Sequence, residues 1–321
     1  MATVLALERF LPPYRYAQAE VTEWVRRWLL EGGGASSQRL LSVYASAGVD
    51  RRASVVPIEE VFAGHDFEHQ NDRYREIARA AGTDLTRRAL ASAGLTPREV
   101  GLIVSTSCTG FMIPAVDAYV ADALGMGPRL ARLPITESGC AGGVVALARA
   151  CDYLAAHPGE LALVLVGREH PRATSGLVRV AGCESRFFPA STHLMGFRLR
   201  NSGLQILLDR GLAGFVRREV GGAVDEFLEA RQLSRQDIGH WILHPGGRRV
   251  VEAMAEQLGL GPGALAATEA VLSEHGNMSS VTVLFVLHEL LCKAQPKPGS
   301  LGLLGAFGPG FAAELALLEF S

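Results

Sequence analysis

Three positions of this 321-residue chain could together do nucleophilic chemistry: a cysteine to attack, and a histidine and an asparagine to assist it. Cys140 lies in Gly139-Cys140-Ala141-Gly142-Gly143, at the start of a helical pattern. Small neighbours let a substrate thioester approach its sulfur, and the unpaired N–H groups of a helix start favour thiolate. A packed, inert cysteine beside a helix has the same signature, so this motif alone leaves both readings open. His244 follows Trp241-Ile242-Leu243 and precedes Pro245-Gly246-Gly247, which projects it from a strand end into a turn. An imidazole there can pair with a thiolate or donate to a thioester carbonyl; it can equally be a structural histidine. Asn277, in His275-Gly276-Asn277-Met278-Ser279-Ser280, directly precedes a second helical pattern, a position that usually reads as a cap.

The other cysteines are Cys108, Cys151, Cys183 and Cys292. An odd total, with no C-x-x-C pair and no histidines at zinc-finger spacing, argues against a disulfide scaffold or a structural metal. Cys151 and Cys292 read as packing residues on helix faces. Hydrophobic residues at 48% and charged residues at 20% supply a sizeable core. A net charge of −2 leaves no overall basic surface, so nucleic acid is not an expected partner. Apolar runs such as Leu161–Val166 are too short to span a membrane, and MATVLALERF lacks the pattern of a secretory leader. A cytoplasmic protein is the expectation.

The elements that must position these residues alternate in type. Residues 71–93 read as a helical stretch interrupted near Gly82-Thr83, and 100–105 as a buried strand. Helices are expected over 117–124, 141–156, 223–230, 248–258 and 279–293. Strands are expected over 161–166, 241–243, 301–306 and 311–320. This alternation predicts an α/β fold with helix-covered sheets.

Leu95–Val104, LTPREVGLIV, resembles Leu233–Ile242, LSRQDIGHWI, 138 positions later. Kept without a gap, that offset sets SGCAGGVV against GNMSSVTV and makes Cys140 and Asn277 neighbours at equivalent helix starts. Two similar halves follow, 1–172 with the cysteine and 173–321 with the histidine and asparagine. If they pack about a pseudo-twofold axis, both helix starts point at one site. The halves also differ: after 301–306 comes a Gly-Pro-Gly turn and another strand, whereas 161–166 is followed by GREHPRATSG. One strand is expected to be missing from the first half.

GCAGG, HPGG, HGNMSS and AFGPG, in that order, resemble type III polyketide synthases of the chalcone and stilbene synthase family. SCTGFMIPAVDAYV and HLMGFRLRNSGLQILLD resemble its bacterial members, and the likeness covers most of the chain. The resemblance implies a thiolase-like fold of two related halves in layered α-β-α-β-α arrangement, and a homodimer. It implies decarboxylative condensation of malonyl-CoA onto an acyl-CoA starter, with no resident cofactor or metal. Cys140 would carry the acyl group, while His244 and Asn277 would stabilise enolate and oxyanion. Cys108, Thr109 and Ile113 match a loop shaping the elongation cavity near the dimer interface. Ile206 matches another cavity-lining position, and Phe307 with Gly308 matches a turn of the pocket wall. Of the basic residues that greet CoA phosphates, only Arg39 is a match.

The sequence departs from the family after Gly167, where a loop, a helix with a gatekeeper Phe, and a strand opening on a GDGAA-like turn have no counterpart. Two further readings therefore stand beside the synthase. One is a ketoacyl-carrier-protein synthase of the same superfamily, which would also use Cys, His and Asn. The other is a non-catalytic dimeric homologue.

Overall fold

Aliphatic runs bounded by glycine and polar turns form the strands, and apolar residues at helical spacing form the helices that cover them. The computed structural model describes residues 2–31, 41–42, 44–108, 110–166 and 177–321. The strands are β1 (Ala2–Val4), β2 (Tyr14–Ala17), β3 (Arg51–Ser54), β4 (Val100–Ser107), β5 (Ala131–Thr136), β6 (Leu161–Val166), β7 (Val178–Phe187), β8 (Met195–Arg200), β9 (Gly203–Leu208), β10 (Ile238–Leu243), β11 (Leu301–Gly308) and β12 (Ala312–Phe320).

Of four sheets among the described residues, the first runs β5-β4-β6 with all pairs parallel, the second runs β1-β7-β12-β11-β10, and β2-β3 and β8-β9 are two-stranded and antiparallel. Helices Gly142–Ala156 and Thr282–Lys293 pack between the sheets in one apolar core that includes Val144, Ala146, Val283 and Phe285. Helices Phe67–Ser92 and Val116–Leu124 cover the outer face of the first sheet. Helices Leu212–Glu229 and Arg248–Leu258 cover that of the second. This is the expected five-layer arrangement. The proposed boundary at 172/173 lies outside the described residues.

The helix Phe67–Ser92 is continuous, contrary to the interruption expected near Gly82. Asp66 caps it by accepting from the His69 N–H at 2.9 Å. Gly82 is buried against Val116, Val120 and Leu165, so its small size serves close packing rather than a break. The helix expected over 223–230 extends back to Leu212.

The internal repeat is visible, with a correction to its register. Thr96/Glu99 and Ser234/Asp237 form matching capping boxes 138 positions apart, each leading into a strand. Beyond them the spacing becomes 140: helix Gly142–Ala156 matches Thr282–Lys293, and β6 matches β11. Gly139 (φ 50°) and Ser279 (φ 62°), also 140 apart, share the left-handed conformation. Two extra residues before the second helix start therefore place Asn277 opposite Glu137, and Cys140 opposite Ser280.

The halves differ where expected. In the second, β12 lies between β11 and β7. In the first, β6 pairs only with β4 among the described residues. Leu161 to Val164 are consequently half-buried, whereas Gly302 to Gly308 in β11 are all buried.

Candidate active site

Cys140 occupies a single 3-10 turn, Gly139–Ala141, ahead of its helix. Left-handed backbone at Gly139 makes the turn, and a Cβ there would also stand 2.6 Å from Pro309 Cδ. Gly308 at the end of β11 packs just as closely: its Cβ would lie 2.7 Å from Ala141 Cβ and 2.8 Å from the Ser138 carbonyl oxygen. At Gly143 the Ser280 carbonyl would be 2.3 Å from an added Cβ, so the two helix starts touch backbone to backbone. Glycines thus clamp the nucleophile turn between β11 and the second helix start.

That second start reaches the sulfur. The Ser279 hydroxyl lies 3.8 Å from Cys140 Sγ and 2.9 Å from Cys108 Sγ, linking the two thiols. Asn277 contributes a side-chain hydrogen bond favouring the Cys140 thiolate. It is positioned by its own loop: Nδ2 donates to the Gly246 carbonyl at 3.2 Å, and Oδ1 accepts from the Ser279 N–H at 2.8 Å. The helix-start argument predicts a depressed thiol pKa, and the structure corrects it. Burial, the largest effect, raises the Cys140 pKa, with Ser279 and Asn277 opposing it and Cys108 adding to it. Cys140 therefore rests as a protonated thiol at neutral pH.

His244 follows β10, with its N–H donating to the Gly305 carbonyl at 2.9 Å. Its side chain is buried at 2% exposure, and neither ring nitrogen has a hydrogen-bond partner. Burial lowers its pKa to about 4, so the imidazole is neutral at pH 7 and keeps one donor and one acceptor nitrogen. The Asn277 amide meets the Gly246 carbonyl two residues beyond it.

Phe307 is buried and stacks on Phe311 at 5.9 Å, within the wall beside the clamp. Ile113 is 98% exposed in the single chain, and Ile206, on the hairpin β8-β9, is 52% exposed. From the hairpin, Phe197 comes within 3.9 Å of where a Gly139 Cβ would stand. Thr109 and Arg39 lie outside the described residues. Cys292 is exposed, which corrects its reading as a packing residue, while Cys151 is half-buried.

A cavity of about 650 Å³ opens beside the site between Phe67–Ser92 and β4. Cys108, Thr106, Met278 and Ser280 form its inner end, and Tyr74 and Trp28 stand in its walls. Cys140, His244 and Asn277 are not among its lining residues, so the cavity adjoins the nucleophile through Cys108 and the second helix start. Sequence reasoning missed Ser279 and Tyr74. Ser279 lies inside the HGNMSS motif but is read there only as a helix start; Tyr74, whose hydroxyl donates to Ser107 Oγ at 2.8 Å, carries no motif. Among the described residues no helix is long and apolar enough to cross a membrane, and no group of three or more His, Cys, Asp or Glu could hold a metal ion.

Two repeated halves that bring a cysteine and an asparagine together from paired helix starts define a thiolase-like acyltransferase. The family model for the C-terminal domain of chalcone and stilbene synthases matches residues 179–320. A 1,3,6,8-tetrahydroxynaphthalene synthase of Streptomyces peucetius subsp. caesius is 35% identical over 99% of this chain and 93% of its own length. A phloroglucinol synthase of Pseudomonas fluorescens is 27% identical over 97% of this chain and 98% of its own length. The crystal structure of 1,3,6,8-tetrahydroxynaphthalene synthase from Streptomyces coelicolor A3(2), a bacterial type III polyketide synthase, superposes with a TM-score of 0.92. That match covers 100% of this chain and 99% of the other at 26% identity. The chain belongs to the chalcone and stilbene synthase family and is a transferase of the type III polyketide synthase class. The first of these alignments runs over 351 positions, so at least 30 of them have no residue in this chain.

Proposed function

We propose that Cys140 is the acyl-carrying nucleophile of a decarboxylative condensation between an acyl-CoA starter and malonyl-CoA, with His244 and Asn277 as its charge-stabilising partners. The observation that carries this reading is the Ser279 hydroxyl, two residues from Asn277 at one helix start, 3.8 Å from the Cys140 sulfur at the other. In the first step Cys140 Sγ attacks the starter thioester carbonyl, the thiol proton passes to the leaving CoA sulfur, and an acyl-enzyme forms. Loss of CO2 from malonyl-CoA then leaves an enolate. Neutral His244 and the Asn277 amide donate N–H groups to its oxygen and later to the tetrahedral oxyanion. The enolate carbon attacks the acyl-enzyme, breaking the C–S bond and freeing Cys140 for reloading. The His244 pKa of about 4 suits this role, because a neutral imidazole donates without changing charge.

The acting form is a homodimer in the cytoplasm. Ile113 and Phe111 at an exposed loop tip offer an apolar surface to a second copy, and five free cysteines suit a reducing compartment. The reaction requires no resident cofactor or metal. The test is mass analysis of products made from malonyl-CoA, alone and with a panel of acyl-CoA starters, using Cys140→Ala as control. Polyketide products lost in the variant support the reading; decarboxylation without any condensed product, or activity independent of Cys140, overturns it.

A further inference from the structure

A second cavity, of about 620 Å³, lies on the far side of β6 from β4. Its two long walls are continuous segments: Leu161 through Val166, the whole of β6, and Ala2 through Arg9. Consecutive residues of a strand line a cavity only when the cavity runs along the strand's edge. The floor comes from Leu147 and Cys151 of the first buried helix and Leu284 of the second. This is a slot bounded by one strand edge and one extended segment, roofed and floored by apolar side chains.

The internal repeat shows what fits such a slot. In the second half, β11 is the counterpart of β6, and β7, like β1, is the first strand of its half. Between β7 and β11 lies β12, paired antiparallel to both along its length. The first half preserves both flanking elements and, among the described residues, presents a void at the position of β12. Backbone N–H and C=O groups on this edge of β6 have no strand partner among the described residues. An added strand satisfies them, whereas a lipid or small apolar ligand does not.

A charge selects among possible strands. Arg9 lines the slot, and its Nε and Nη1 are buried without a hydrogen-bond partner. Its guanidinium lies 5.3 Å from the centroid of the Phe285 ring. Glu289 on the second buried helix attracts this cation without a hydrogen bond to either nitrogen, so both N–H groups can still take a carboxylate.

We propose that this slot is a strand-acceptor site. It takes an extended segment of a partner polypeptide, antiparallel to β6, made of small and aliphatic residues with an acidic side chain facing Arg9. β12, with the sequence AAELALLEF, is the internal template for that segment.

The test uses the full chain and a fluorescein-labelled AAELALLEF peptide with lysines added for solubility. Saturable binding by anisotropy is expected, together with slowed amide exchange across Leu161–Val166. N-methylation of alternate peptide amides should weaken binding at least about tenfold, because it removes ladder donors while keeping composition. Changing both peptide glutamates to glutamine should weaken it about tenfold against the parent chain and leave it unchanged against Arg9→Met. No saturable binding, binding without protection of β6, or equal binding of the N-methylated peptide overturns the proposal. So does a slot that takes dodecanoate and excludes the peptide, since that would make it an apolar-ligand cavity.

Discussion

Adding one methyl group at Gly308 tests whether the glycine clamp holds the nucleophile in place. In Gly308→Ala the new Cβ would sit 2.7 Å from Ala141 Cβ and 2.8 Å from the Ser138 oxygen. Both are main-chain or Cβ positions, so no rotamer change relieves the contact. Carbon atoms need about 3.5 Å, so the turn carrying Cys140 must shift by roughly 0.8 Å. Overpacking of this kind destabilises by about 1–3 kcal/mol, which lowers the thermal midpoint by a few degrees. The rate should suffer more, because displacement near 1 Å at a reacting centre reduces turnover roughly 10- to 100-fold. Gly222→Ala is the matched control. It lies inside the helix Leu212–Glu229 with nothing within 4 Å of an added Cβ, and should stabilise by about 0.5–1 kcal/mol. The assays are calorimetry and acyl loading of Cys140 followed by intact mass. If Gly308→Ala loads as fast as the parent and melts at the same temperature, the clamp argument is wrong.

Three further outcomes follow from the same geometry. An unfolded histidine binds its proton near pH 6.5, while His244 resists it until about 4, so the unfolded state holds more protons between those values. Stability is therefore lost as pH falls through that window, by about 3 kcal/mol from His244, and His244→Gln should flatten the dependence seen in denaturant titrations at pH 7 and pH 4.5. Arg132 Nε donates to the fully buried Asp117 carboxylate at 2.6 Å. Arg132→Leu should cost about 3–5 kcal/mol by urea denaturation, because it strands that charge; a change below 1 kcal/mol would refute the pairing. Under limiting iodoacetamide, peptide mapping should find exposed Cys292 modified before buried Cys140, and the reverse order would contradict the raised Cys140 pKa.

Much of the site was legible because small residues around a cysteine and turns at element ends are local signals. Cys140 and Asn277 do meet, and the likeness of Leu95–Val104 to Leu233–Ile242 made the repeat readable before any geometry. Longer-range properties were less visible. The shift from a spacing of 138 to 140 arises from two residues between β10 and the second helix start, which a gap-free comparison absorbs. The raised thiol pKa reflects burial by both halves, which no local motif encodes. Gly82 reads as a helix breaker until Val120 and Leu165 are known to press on it. The exposure of Ile113 in its loop and of Ile206 on β9 follows from what surrounds them rather than from their own apolar character.

The shortened first half and the arrangement around Cys140 are compatible because they rest on different contacts. The nucleophile turn is held by Gly308 and Pro309 at the end of β11, and by Ser279 and Ser280 at the second helix start. All four belong to the second half, and their strand β11 keeps both of its neighbours, β10 and β12. The lost ladder falls on the outer edge of β6, whose one strand partner among the described residues, β4, ends beside Cys108. A sheet that lacks one ladder leaves backbone groups unsatisfied, at about 1–3 kcal/mol for each that stays buried and unpaired. That burden falls on the stability of the first half, while the geometry around Cys140 is set from across the repeat. Thermal stability should therefore respond to occupation of the slot beside β6 far more than acyl loading of Cys140 does. Equal responses of the two to the AAELALLEF peptide would show that the first sheet, and not the second helix start, positions the nucleophile.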